Sequence, residues 1–244
     1  MRIPRLYLAA DFKADTNVAL TREQSHYALT VLRLKNHHPV ELFDGRGNIA
    51  GGEILVLGRK EAQVAIQSVR QADNESPLKT VLLQGISRGD RMDYSIQKAV
   101  ELGVTAIQPV FSERCEVKLA YNKLEKRREQ WQTIAINACE QSGRAWVPEI
   151  LPIENLTTFI ASQSNIQGIV CDPYAPKSLK DLTQIESSQP LHVLVGPEGG
   201  LTDEEVENAR NHGWQSVQLG PRILRTETAG PAMLAIAQAL WGDL

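Results

Sequence analysis

The sequence predicts an α/β protein in two parts: a small barrel-like β domain, then a larger domain around a largely parallel sheet. Three observations carry this. The stretch "RQADNESPLK", residues 70–79, is polar, ends near a proline and separates two regions of different rhythm. Before it, short runs alternate apolar and polar residues, the period of half-buried strands. After it, strand-like runs alternate with helical ones, as in parallel α/β sheets. The boundary falls between domains 1–72 and 73–244.

In the first part, "VELFD" (40–44), "IAGGEILVLG" (49–58) and "EAQVAIQSV" (61–69) read as strands, with "GRGN" as a turn. One helix fits, "TREQSHYALTVLR". Thr21 can cap it and Gln24 completes a capping box.

In the second part the strand-like runs are "TVLLQGI", "TAIQPVF", "GIVCD", "LHVLVG" and "QSVQLG". "DYSIQKAVELG" places Ile96, Ala99, Val100 and Gly103 at helical spacing, with Gly103 as a natural stop. A longer helix covers Lys123 to Ser142 and stops at Gly143. "LTDEEVENARNHG" opens with Thr202 and Glu205 in capping-box spacing and stops at Gly213. The last helix is expected to start at Pro231, a favoured first-turn residue, with Met233, Ile236, Ala237 and Leu240 on one face.

The bulk numbers exclude several classes. The 244 residues are 42% hydrophobic and 23% charged, ordinary for a soluble globular protein. A net charge of −3 leaves no global basic field to attract nucleic acid, so any such binding uses local clusters. The three cysteines, Cys115, Cys139 and Cys171, suggest neither a disulfide framework nor a zinc site and fit a reducing cytoplasm. No metal site is expected. The opening "MRIPRLYLAADF" lacks a secretory signal, and no stretch approaches a membrane span.

Two glycine-rich stretches compete for attention. "DGRGNIAG" matches a dinucleotide fingerprint through Gly45, Gly47 and Ala50. It runs into a strand where the fingerprint needs a helix, so it is read as a hairpin turn. "LHVLVGPEGGLTDEE" is more informative. A buried strand ends at Val195, three glycines follow, and a capped helix begins near Thr202. It is not a P-loop, because the spacing is wrong and no lysine follows. It is either a ligand loop at a strand's carboxyl end or simply a tight turn.

Charged residues sit at further strand and helix ends. Asn137, Glu140, Gln141 and Arg144 share one helix face, either solvated or reaching a base edge or phosphate. Arg88 and Arg91 in "SRGDRMD", and Arg114 in "FSERCEVK", follow strands and suit phosphate or carboxylate ligands. Singly, each is equally a surface ion pair. In "LGPRILRTETAGPAMLAIAQAL", Arg222, Arg225 and Glu227 lie between a glycine-proline turn and an apolar helix.

Taken in order, "IQKAVELGV", "NACEQSGR", "VPEI", "LVGPEGGLTDEE" and "LGPRILRTETA" after a small β domain resemble the RsmE family. These are 16S ribosomal RNA uridine N3-methyltransferases of the SPOUT class. "MRIPRLY", "VLRLK" and "VELFDG" fit it too. The resemblance implies a PUA-like β-barrel followed by an α/β domain with a C-terminal trefoil knot. It further implies S-adenosylmethionine as cofactor, a cytoplasmic homodimer, and methyl transfer to N3 of uridine 1498 in the assembled small subunit. By the same resemblance Gly196, Pro197 and Gly199 would line the cofactor, with Leu219, Gly220, Pro221, Ile223 and Leu224. Gly230 and Pro231 depart from the family's continuous helix.

Uracil N3 carries a proton and is a poor nucleophile while neutral, so the site needs a base and a cation near the carbonyl oxygens. Arg225 is the expected cation. Glu227 or Glu198 would take the proton or orient Arg225. The alternative is an Arg225–Glu227 pair that only pins the chain. RNA contacts are expected at Arg2, Arg5, Arg33, Lys35, Arg88, Arg114, Gln141 and Arg144. The rivals are another SPOUT methyltransferase, acting on transfer RNA or a ribose, and a non-catalytic RNA-binding module.

Overall fold

The computed structural model describes residues 3–163, 166–181, 185 and 189–244. The chain forms two compact units. One runs up to Glu75 and includes Cys139–Val147; the other comprises Ser76–Ala138 and Pro148–Leu244.

The first unit holds β1 (Arg5–Tyr7), β2 (Thr16–Ala19), α1 (Arg22–His26), β3 (Pro39–Phe43), β4 (Asn48–Gly58) and β5 (Glu61–Gln71). Its sheet has the order β1-β3-β4-β5-β2. Only β1 and β3 run parallel. The alternation along these strands turns Leu6, Leu42, Ile54, Val64 and Ile66 into one core. Thr21 and Gln24 form the capping box of α1, which passes into a π-helical turn at Tyr27–Val31. Between β3 and β4 the chain makes a turn. Gly45 and Gly47 have φ of +77° and +94°, and Asp44 Oδ1 accepts from the N–H groups of Arg46 and Asn48. A Cβ on Gly47 would lie 2.6 Å from the Trp146 ring. The "GRGN" glycines therefore serve a hairpin.

The second unit holds β6 (Thr80–Gly85), α2 (Asp90–Glu101), β7 (Ala106–Phe111) and the body of α3 (Leu124–Ser142). It continues with β8 (Glu149–Ile150), β9 (Glu154–Asn155), α4 (Leu156–Ser162), β10 (Gln167–Cys171), β11 (Leu191–Val195), α5 (Asp203–Asn211), β12 (Gln215–Val217) and α6 (Thr226–Trp241). All pairings are parallel, in the order β12-β10-β11-β6-β7-β8, with β9 also on β7. Parallel strands covered by helices read as continuous apolar runs, and β11 and β6 are buried almost throughout. From β6 the chain first builds outward through β7, then returns to add β10 and β11 on the other side. That reversal puts a switch point between β6 and β11, where α/β sheets bind ligands beyond the strands' carboxyl ends. Among the described residues, no helix is long and apolar enough to cross a membrane.

The last helix begins five residues before the expected Pro231, at Thr226. Pro231 lies inside it. Lacking an N–H, it forgoes one bond, to the Glu227 carbonyl. Tertiary anchoring at Thr226 outweighs that loss. Gly230 lets α6 approach β6 closely: a Cβ there would sit 3.3 Å from Gln84 Oε1 and 3.5 Å from Leu82. Met233 and Ala237 are fully buried, whereas Ile236 and Leu240 are exposed.

Candidate active site

The "GPEGG" loop begins where β11 ends. A turn closes it, with the Gly200 N–H donating to the Pro197 carbonyl at 2.9 Å and Gly200 at φ +71°. The loop lies directly on the end of β6. A Cβ on Gly85 would fall 2.5 Å from Pro197 N and 2.8 Å from the Gly196 carbonyl carbon. Backbone cannot yield to a methyl at that distance, so glycine is required. The Arg114 guanidinium donates to the carbonyls of Leu201 (3.1 Å) and Gly199 (3.4 Å). Thr202 and Glu205 then cap α5, and Glu205 also accepts from the Glu113 N–H at 2.8 Å.

After β12 the chain turns at Gly220, with φ +92°, and reaches α6 through Leu219–Leu224. Arg225 is the N-cap residue, but its side chain makes no capping bond. Thr226 fixes the helix start instead. Its buried hydroxyl donates to the Gly196 carbonyl at 2.7 Å and accepts from Gln84 Nε2 at 2.9 Å.

These loops and the turn after β10 enclose a cavity of about 1240 Å³. Of the expected cofactor residues, Gly196, Pro197, Gly199, Leu219, Ile223 and Leu224 line it. Gly220 and Pro221 shape the turn without lining it. Glu198, Arg225 and Glu227 also line it, so the structure brings the three expected catalytic side chains to one cavity.

Their partners differ from a simple Arg225–Glu227 pair. Glu198 Oε1 accepts from the Arg88 N–H at 2.8 Å and from Arg91 Nη1 at 2.7 Å. Arg91 Nε faces Glu227 Oε1 at 3.8 Å. Glu227 Oε2 is buried without a hydrogen-bond partner. Arg225 is exposed, and its guanidinium has no ion-pair partner among the described residues. Burial alone would raise the Glu198 carboxyl, but hydrogen bonds from backbone N–H groups and Arg91 outweigh it and hold it below the ordinary glutamate range.

The expected RNA contacts separate by burial. Arg33 and Lys35 are exposed on the first unit, as is Gln141. Arg5 and Arg144 are engaged there: Arg5 with Glu41 at 2.8 Å, and the 6% exposed Arg144 with both oxygens of Glu75 at 2.9 and 2.6 Å. On the second unit, exposed Arg88 pairs with Glu116 at 3.0 Å, and Arg114 holds the loop carbonyls. Arg2 lies outside the described residues.

The cavity also takes in Asp172, in the "CDP" turn after the "GIV" strand where the sequence places a further cofactor-edge loop, together with Tyr174 and Arg210, which sequence reasoning did not assign to it. Arg210 pairs with Asp172 at 3.3 Å, and Asp172 Oδ1 accepts from the Tyr174 N–H at 2.9 Å. The usable signal was positional: "CDPY" follows a parallel strand at its carboxyl end.

Known proteins share this arrangement. A family described as the RNA methyltransferase domain matches residues 74–238, and one described as the RNA methyltransferase PUA domain matches residues 20–67. The ribosomal RNA small subunit methyltransferase E of Buchnera aphidicola from Schizaphis graminum is 35% identical, covering 100% of this chain and 98% of its own. A crystal structure of that enzyme from Neisseria gonorrhoeae, bound to S-adenosyl methionine, superposes with a TM-score of 0.92 at 42% identity, covering 100% of both chains. A Legionella pneumophila methyltransferase in complex with the same cofactor also gives 0.92, at 36% identity and full coverage of both chains. With a relative matched end to end and both domains accounted for in order, the chain belongs to the ribosomal RNA small subunit methyltransferase E family.

Proposed function

We propose that this protein is an S-adenosylmethionine-dependent methyltransferase that modifies N3 of uridine 1498 in 16S ribosomal RNA, acting in the cytoplasm on the assembled small subunit. The observation that carries the reading is the cavity beyond β10, β11 and β12, which holds a buried, unpartnered carboxylate oxygen at Glu227.

The residues present suit the cofactor. Leu219, Ile223 and Leu224 offer an apolar wall for an adenine, and the glycines of the "GPEGG" loop expose backbone for polar contacts. When bound, S-adenosylmethionine supplies an electrophilic methyl group whose bonding pair stays with sulfur on transfer. The chain's own residues do the rest. Glu227 Oε2 accepts the N3 proton, freeing the nitrogen lone pair for the new N–C bond. The Arg225 guanidinium stabilises the negative charge that spreads to the uracil oxygens. Glu198, already engaged with Arg91 and the Arg88 N–H, holds the loop rather than taking the proton. Arg33 and Lys35 of the PUA domain contact RNA phosphates. The exposed Ile236 and Leu240 on α6 support a homodimer.

The test is methyl transfer to small subunits from a strain lacking the modification, with the modified nucleotide mapped. Methyl on uridine N3 supports the reading; methyl on a ribose or on transfer RNA overturns it. Arg225→Ala should lose methyl transfer while keeping cofactor affinity in calorimetry. Full activity in that variant sinks the catalytic role. Lost binding with a loosened fold assigns Arg225 to structure.

A further inference from the structure

We propose that Arg91 is a positioning residue for the reaction, holding Glu198 with one nitrogen while facing Glu227 with another, so that Glu227 Oε2 stays free for the substrate N–H. This rests on the function proposed above.

Three elements meet at Arg91. It lies in the first turn of α2, Glu198 in the loop after β11, and Glu227 in the first turn of α6. Nη1 is in short hydrogen-bond contact with Glu198 Oε1 at 2.7 Å. Nε stands 3.8 Å from Glu227 Oε1, too far for a hydrogen bond but within ion-pair range. The two carboxylates are therefore unequal. Glu198 Oε1 has two donors. Glu227 has an attractive cation on one oxygen and no donor on the other.

A buried carboxylate oxygen without a donor is costly, so it is kept where a ligand supplies one. Glu227 lines the cavity, and uracil N3–H is such a donor. The positive charge of Arg91 draws Glu227 Oε1 toward it and so fixes which oxygen faces the cavity. A guanidinium suits this because its nitrogens diverge in a rigid plane and can serve two carboxylates at once. An ammonium has three donors on a single nitrogen but lacks that fixed, divergent fork. Arg91 itself need not touch substrate.

Single-turnover methyl transfer with labelled donor tests this, alongside calorimetric cofactor affinity and thermal midpoint. Arg91→Gln is expected to lower the rate about 10–100-fold, with KM for the subunit and cofactor affinity within about threefold. Arg91→Lys should recover part of the rate. The decisive measurement is a pair of double-mutant cycles. Added to Glu227→Gln, Arg91→Gln should cost less than about threefold, because its target is gone. Added to Glu198→Gln, it should keep most of its effect. The reverse pattern, with the effect absent in Glu198→Gln and kept in Glu227→Gln, makes Arg91 a loop tether and overturns the proposal. If Arg91→Gln fails to fold, Arg91→Lys is read in the same two cycles. Wild-type enzyme that methylates an atom other than N3 sinks the functional reading. Wild-type methylation at N3 beside an Arg91→Gln variant of equal rate sinks this proposal alone.

Discussion

The Thr226 hydroxyl donates to the Gly196 carbonyl at 2.7 Å, joining the first residue of α6 to the loop that opens the cavity. The same oxygen accepts from Gln84 on β6, so one side chain fastens a helix, a loop and a strand. Thr226→Val keeps the shape but leaves the Gly196 carbonyl and one N–H of the Gln84 amide unpaired, the amide keeping its bond to the Gly85 carbonyl. The expected loss is about 2–6 kcal/mol, counted as two buried groups left unsatisfied at about 1–3 kcal/mol each. Calorimetry should show a lower unfolding midpoint and weaker cofactor binding together, and Thr226→Ser should restore both.

Gly85→Ala tests the packing between β6 and the same loop from the other side. The added carbon meets Pro197 N at 2.5 Å and the Gly196 carbonyl carbon at 2.8 Å, both backbone atoms, with the proline ring's Cδ at 2.6 Å. Such overpacking costs about 1–3 kcal/mol, and relief requires the loop to move off the strand. Cofactor affinity should fall at least about tenfold, equivalent to 1.4 kcal/mol. Unchanged affinity would mean that the loop's seat on Gly85 does not shape the cavity.

How much of this was legible in the sequence depended on how local the cause was. The capping boxes of Thr21 with Gln24 and Thr202 with Glu205 were readable because both partners lie within one turn. Gly103, Gly143 and Gly213 were readable as stops, and all three have positive φ. The start of α6 was misplaced because local propensity favours Pro231 at a first turn. Thr226, bonded across the unit to Gln84 and Gly196, decided otherwise. The short strands β1, β2, β8 and β9, of two to four residues, have no period to detect. Glu198, Arg225 and Glu227 could be proposed from their motifs. That Arg91 stands between the two carboxylates could not, since 107 residues separate it from Glu198.

Glu198 gives a pH prediction. Its carboxyl titrates below the ordinary glutamate range in the folded protein, so the unfolded chain takes up its proton first as pH falls. Its contribution is fully present above the ordinary range and is lost as acid protonates the folded group. The stability difference between wild type and Glu198→Gln should therefore be flat near neutrality and shrink on acidification. A difference that grew in acid would contradict the hydrogen-bonded arrangement around Arg88 and Arg91.

Arg33 and Lys35 are exposed basic residues on a chain with net charge −3, so their contribution to RNA binding should be local and screened by salt. Replacing either with Gln should weaken binding and lower the slope of log affinity against log salt by about one for each phosphate no longer neutralised. Folding should be unaffected. An unchanged slope would remove these positions from the RNA interface.

Arg144 makes the opposite prediction within the same unit. Arg144 is 6% exposed and its guanidinium grips both oxygens of Glu75, while its carbonyl accepts from Arg5 Nη2 at 3.3 Å. Removing one member of a buried pair leaves the other charge uncompensated, at about 3–5 kcal/mol. Arg144→Ala should therefore unfold the PUA unit at markedly lower denaturant. The double variant with Glu75→Gln should lose less than the sum of the two single losses, because the stranded carboxylate is gone. If Arg144 instead serves RNA directly, Arg144→Ala would weaken RNA binding and flatten its salt slope with the unfolding midpoint unmoved. The bidentate grip on Glu75 predicts the reverse ordering of those two readouts.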